Sequence, residues 1–137
     1  MSLENWTWIP NKSFGLIKFN TPIEIYTNNI GVFLSDDNAT IGWKTYKVPD
    51  ENISIYVEDG IVVAVATYEK LYFKGINLIG ISQTKLIEIL EVEPDEVGTG
   101  VLYEDGDVQT PLDFDPLGLQ VWISDCVVVS ASLSDDL

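Results

Sequence analysis

Two stretches of the chain carry nearly the same pattern of apolar and polar positions. The fourteen residues from Ile53 to Ala66 align without a gap onto those from Leu119 to Ser132, 66 positions later. Each copy is an apolar run, a two-residue polar centre and a second β-branched run, which is the pattern of a tight hairpin. Asp59 and Gly60 suit a type I′ turn, whose two central residues both need positive φ. Cys126 stands where the first copy has Gly60, and a side chain there is expected to change the type of the second turn. Ile61–Ala66 and Val127–Val129 are apolar at every position, as in strands buried on both faces. A sheet covered on both sides therefore competes with one that leaves a face open.

A helix signal precedes each hairpin. Thr21, Pro22 and Glu24 offer an N-cap, a proline at the first helical position and a glutamate three residues after the cap, and Gly31 is placed to end that helix. Ser82 can cap a second helix running through Leu90, with Leu86, Ile87 and Leu90 on one apolar face. Short apolar runs, Gly15–Phe19 and Leu71–Ile81, lead into the two helices. A further tight hairpin is expected where Val101, Leu102 and Tyr103 return as Val108 after Glu104, Asp105, Gly106 and Asp107. The pattern predicts an α+β fold: one domain with an internal duplication, roughly 10–68 and 69–137. Its two helix-plus-antiparallel-hairpin units, of about 66 residues each, lay their strands into one antiparallel sheet or two, with both helices on one face. The other face is then available for binding.

Length and composition suit a folded domain of this kind. A chain of 137 residues, 46% of them hydrophobic, has ample apolar surface to offset chain entropy. Residues Met1 to Asn5 lack the basic and apolar regions of a signal peptide, and the single cysteine, Cys126, cannot form an internal disulfide. A reducing cytoplasm is the expected compartment. The longest apolar run, Ile61–Ala66, has strand length, so no membrane span is expected.

Charge changes the picture more than composition does. The net charge is −15, and from Leu86 onward there are thirteen Asp and Glu but no Lys, Arg or His. A surface of one sign repels itself, attracts a basic partner and speeds its encounter; it also keeps a protein soluble. Nucleic acid and anionic lipid are not expected as ligands, because phosphate binding calls for basic side chains and this chain has seven Lys and no Arg.

The inventory for catalysis is nearly empty. Without His or Arg, and with one Cys, the usual triads, zinc sites and imidazole acid/base pairs are unavailable, so no catalytic residue, cofactor or metal site is expected. Asp105 and Asp107 around Gly106 could open a calcium loop, but the spaced ligands and closing Glu do not follow, and a hairpin turn is the simpler expectation. Cys126 has no nearby cation along the chain to activate it. Gly75, Gly80, Gly98 and Gly100 lack the phosphate-loop pattern, and the last two read as loop hinges. Trp6, Trp8, Trp43, Tyr46, Tyr56, Tyr68, Tyr72, Tyr103 and Trp122 are spread through both halves and suit either core packing or an interface. Trp6 and Trp8 share one side of an extended segment, as part of the core or as an apolar patch.

The acidic series is the leading site. Glu91, Glu93, Asp95 and Glu96 follow the second helix, Glu104, Asp105 and Asp107 crowd a turn, and Asp113 and Asp115 flank Phe114. Such carboxylates can meet Lys and Arg of a partner, with Tyr103 and Phe114 supplying a dry centre.

The run Trp8, Ile9, Pro10, then Phe14 to Phe19, the helix from Thr21 to Gly31 and the later strand Leu117 to Trp122 together resemble small bacterial immunity proteins. The resemblance implies a cytoplasmic, non-enzymatic inhibitor of a polymorphic or contact-dependent growth-inhibition toxin. Its partner would be a basic protein toxin domain, with nucleases the foremost class. The duplicated layout is also similar to the repeat plan of β-lactamase inhibitor proteins, which are secreted and disulfide-bonded. A structural module that self-associates or joins a larger assembly, through a sheet edge or the Trp6 and Trp8 segment, is the alternative. A carboxylate-based or calcium-binding enzyme is a third.

Overall fold

The computed structural model describes residues 6–38 and 43–135; residues 1–5, which bear on the expected lack of a leader, and the side chain of Trp43 lie outside the described set. The first half opens with a ribbon of β1 (Trp8–Ile9), β2 (Ser13–Phe14) and β3 (Ile17–Lys18), then helix α1 (Glu24–Asn29). Strands β4 (Phe33–Asn38), β5 (Trp43–Lys47), β6 (Ile53–Glu58) and β7 (Ile61–Thr67) follow. The second half has a ribbon of β8 (Tyr72–Phe73) and β9 (Ile76–Asn77), helix α2 (Gln83–Leu90) and two short strands, β10 (Glu96–Val97) and β11 (Val101–Leu102). It ends with β12 (Val108–Phe114), a 3-10 turn at Asp115–Leu117, β13 (Leu119–Ser124) and β14 (Val127–Ser134).

One nine-stranded antiparallel sheet contains both predicted hairpins. Its order is β10-β12-β13-β14-β7-β6-β5-β4, with β11 also paired to β12. The two halves join where β14 pairs with β7.

The expected α+β architecture is corrected: this is a β-rich fold dominated by antiparallel sheet, without a layer of helices on one face. The helices have six and eight residues, so at about 1.5 Å per residue neither can span a sheet whose strands lie about 4.8 Å apart. They give the core Tyr26, Leu86 and Leu90. The same apolar cluster unites the inner sheet residues Ile53, Ile55, Val57, Leu119, Val121 and Ile123 with Trp6, Trp8, Phe14, Ile17, Leu71 and Leu78 of the ribbons and their flanks. Trp6 and Trp8 thus belong to the core, with ring centroids 5.2 Å from Phe14 and 5.3 Å from Phe73, respectively, in tilted contacts.

A bulge explains the continuous apolar runs. The register shifts at Tyr56/Val57 against β7 and, 66 residues later, at Trp122/Ile123 against β14. Val63 and Val129 are the extra residues, and each reverses the inward-outward alternation of its strand. Val62 and Val65 are consequently both buried, as are Val128 and Ala131, while Val63 and Val129 sit half-buried on the other side. The sheet is therefore not covered on both faces.

Local chemistry matches the sequence expectation at one helix and departs from it at the other. Ser82 Oγ accepts the Lys85 N–H at 3.1 Å, capping α2. At α1 the residue before the helix is Ile23, which makes no side-chain cap. The helix begins only at Glu24, after Pro22 has bridged to Ile61, so Thr21 lies two residues before the cap position; its hydroxyl donates instead to the Lys18 carbonyl at 2.6 Å and lies 2.8 Å from the Tyr26 hydroxyl. The second hairpin turn also departs from expectation. Asp125 and Cys126 have φ of 53° and 64°, matching Asp59 at 52° and Gly60 at 78°, so both turns are of the primed type despite the cysteine. Gly98 and Gly100 are not hinges. A Cβ on Gly98 would lie 2.6 Å from Pro111 Cγ, and Gly98 N–H donates to the Pro111 carbonyl at 2.9 Å, so the glycine permits close packing on β12.

Candidate interaction surface

Alternation along the strands lays out the face opposite the core. Leu119, Val121 and Ile123 of β13 are buried, which turns Gln120, Trp122 and Ser124 outward. Successive register pairs carry one row of this face across six strands, from Asp113 through Gln120, Ser132, Ala66 and Ser54 to Lys47. Its two ends have opposite charge. At the acidic end Gln120 Nε2 donates to Asp113 Oδ1 at 2.8 Å, and at the basic end Lys47 Nζ donates to Ser54 Oγ at 2.7 Å.

Three concavities run together on the acidic half. Tyr68, Tyr103, Gln109, Trp122, Val129 and Ser130 line one of about 430 Å³. A smaller one of about 140 Å³ shares Tyr68, Trp122 and Ser130 with it and extends to Tyr56, Gln120 and Ser132. The third, of about 400 Å³, shares Gln120 and Ser132 with the second and is ringed by Asp113, Asp115 and Asp135. Large aromatics can stand over this floor because the β7 and β14 residues beneath are Ala66, Ser130 and Ser132. The Tyr56 phenol is pushed above its ordinary value of 10.0 by burial and then by the neighbouring Tyr68.

The acidic residues fall into two groups at the ends of β12. Asp95, Glu96, Asp113 and Asp115 meet where β10 joins β12: Glu96 pairs with Asp113, and Asp95 Oδ2 accepts the Asp115 N–H at 2.8 Å. Glu104, Asp105 and Asp107 occupy the turn between β11 and β12, where Asp105 Oδ1 accepts the Asp107 N–H at 2.9 Å. Asp107 in turn accepts from the Ser124 hydroxyl and from Gln109 Nε2, and these two bonds hold its carboxyl below the usual carboxylate range. Glu91 stands apart, ending α2 and pairing with Lys74 at 3.2 Å. Among the described residues, no group of three or more carboxylates or thiols is arranged to hold a metal ion.

No protein-family model, curated protein or solved structure matches this chain.

On that geometry the expected site divides. Glu93, Glu96, Glu104 and Asp115 are exposed and hold no side-chain hydrogen bond or ion pair among the described residues, so their charges are free to face a partner. Asp95, Asp105, Asp107 and Asp113 serve local structure as well as charge. Tyr103 is 42% exposed and lines the cavity of about 430 Å³. Phe114, at 0% exposure, is corrected from surface anchor to core residue, because it pairs with Leu119 on the inner side of the sheet. What single-residue reasoning missed is the grouping of Tyr56, Tyr68, Trp122, Gln109 and Ser130. The alternation Gln120, Trp122, Ser124 was the available signal for Trp122, since it puts that indole on the polar side of its strand.

Proposed function

We propose that this protein is an immunity protein that binds and neutralises a cationic toxin domain, a nuclease foremost, by electrostatically steered occlusion. The supporting observation is an aromatic concave face, lined by Tyr68, Tyr103 and Trp122, lying between two acidic groups at the ends of β12. Aromatic side chains at the centre of a patch with charge at its rim are what a tight protein interface needs. Nucleases present basic surfaces to phosphate, and carboxylates can occupy the same surface. The neutralisation is proposed to take place in the cytoplasm; no helix among the described residues is long and apolar enough to cross a membrane.

The direct test is co-expression with the C-terminal part of the adjacent upstream gene product, followed by co-purification and rescue from toxicity. A stable complex with rescue supports the reading, and free passage without rescue removes it for that pair. The steering component is tested by Glu93→Lys, Glu96→Lys, Glu104→Lys and Asp115→Lys combined, which spares the hydrogen-bonded carboxylates. Association should slow about tenfold or more in that variant and show less dependence on salt.

A structural module that self-associates is the second reading, favoured by exposed Val97, Leu102 and Val108 beside the unpaired edges of β10 and β11. The Trp6 and Trp8 segment no longer supports it, because both indoles are buried. It predicts an oligomer that grows with concentration and persists at high salt.

A further inference from the structure

The geometry points to the cavity between Tyr68, Tyr103 and Trp122 as the receptor for a single arginine side chain of the protein partner. The inference rests on the cationic partner proposed above and adds the chemistry of its anchor. Three aromatic side chains line one opening of about 430 Å³, and the negative faces of such rings attract a cation, Trp most strongly. The polar lining is equally specific. Gln109 Nε2 is committed to Asp107 Oδ2 at 2.9 Å, which leaves Oε1 as the acceptor end of that amide, and Ser130 adds a hydroxyl. Tyr103 is followed at once by Glu104 and Asp105, and its N–H donates to the Asp107 carbonyl at 2.8 Å, so three carboxylates back the wall that it forms. The lysine nearest in sequence to a wall residue, Lys70, is held by Glu51 at 3.0 Å.

These features favour arginine over the other side chains that an interface could insert. A planar guanidinium stacks on aromatic faces, sheds water readily and donates in a fork to acceptors such as Gln109 Oε1 and the Ser130 hydroxyl. An apolar side chain would leave those polar groups without partners and gain nothing from the negative field. A lysine ammonium is more strongly hydrated and cannot stack. The polar wall is also held in advance, by the Asp107 bonds to Ser124 and Gln109. Little ordering remains to be done when the side chain enters.

The test needs no toxin. The Trp122 indole N–H resonance, assigned with Trp122→Phe, is followed while an acetylated, amidated Gly-Arg-Gly peptide is added to the whole chain; matching peptides carry citrulline or lysine. The arginine peptide should shift it saturably, with a dissociation constant on the order of 1 mM, as one buried cation can supply. Citrulline and lysine should bind several-fold more weakly, and Tyr103→Ala, with its core methyl resonances unmoved, should lose most of the response. An equal response to citrulline or lysine, an undiminished one in Tyr103→Ala, or none that saturates would overturn the proposal. Failure of the toxin to bind a chain that still takes the arginine peptide would remove the immunity reading alone. A toxin complex of undiminished strength with Tyr103→Ala and Trp122→Leu would remove the arginine anchor alone.

Discussion

Ala66 and Ser132, equivalent positions 66 residues apart, face each other as a register pair at the seam where β7 meets β14. The neighbouring pairs, Val65 with Leu133 and Thr67 with Ala131, exchange positions under the same offset. The seam is therefore a pseudo-twofold axis through the sheet, and each half presents the same edge strand to the other. The offset of 66 holds for the hairpins but not for the leads into them. Asn20 and Gly80, 60 residues apart, donate N–H groups to the Val62 and Val128 carbonyls respectively, at 2.9 and 2.8 Å.

The inner and outer residues of that seam should differ sharply in their effect on stability. Leu133 is fully buried, so Leu133→Ala should cost about 2–5 kcal/mol. Ser132 faces the open side, and Ser132→Ala should stay within about 0.5 kcal/mol. Urea titrations with unchanged slope would measure both.

The two primed turns offer a controlled comparison of one backbone conformation in two sequences. Gly60→Ala meets no atom within 4 Å, so its cost is conformational, about 1 kcal/mol. Cys126 already bears that strain at φ 64°, and Cys126→Gly should stabilise by up to about 1 kcal/mol after the greater freedom of an unfolded glycine is subtracted. A shift of the two denaturation midpoints in the same direction would contradict this account.

Gly98 should be intolerant of even one carbon. Gly98→Ala drives a Cβ against Pro111 Cγ and should cost about 1–3 kcal/mol. In a Pro111→Ala background the same change should cost less, because the obstructing ring is gone. A double-mutant cycle with no coupling would show that the strain lies elsewhere.

Asp107 should contribute to acid stability with a definite sign. Its folded carboxyl lies below the ordinary value of 3.8 because Ser124 and Gln109 donate to the ionised form. The contribution is present above pH 3.8 and is lost as pH falls through the lower folded value. Carboxyl-detected NMR should place the Asp107 midpoint below that of an unstructured Asp, and Ser124→Ala should raise it toward 3.8.

How much was legible varied with the range of the interaction responsible. The hairpins Ile53–Ala66 and Leu119–Ser132, the short hairpin at Val101 to Val108 and the Ser82 cap are made by residues near in sequence, and pattern alone located them. The α1 cap was misread because Pro22 bridges to Ile61 and the helix begins only at Glu24, a long-range pairing that no spacing rule anticipates. The bulges at Val63 and Val129 left apolar runs that cannot be told from doubly buried strands until the partner strand is known. In the same way Phe114 looked like an anchor between two aspartates, and only its pairing with Leu119 puts it inside.

By itself the sequence determined the repeated pattern of Ile53–Ala66 and Leu119–Ser132, the concentration of negative charge after Lys85 and the poverty of catalytic groups, since these depend on residue identity and short spacing. Tertiary structure decided that the halves share one sheet, that strand and not helix dominates, and that Tyr68, Tyr103 and Trp122 converge on one opening. Those outcomes depend on pairing between segments tens of residues apart. Register across the β7–β14 seam and the phase set by the bulges determine which side chains share a face, and neither is encoded in any local window.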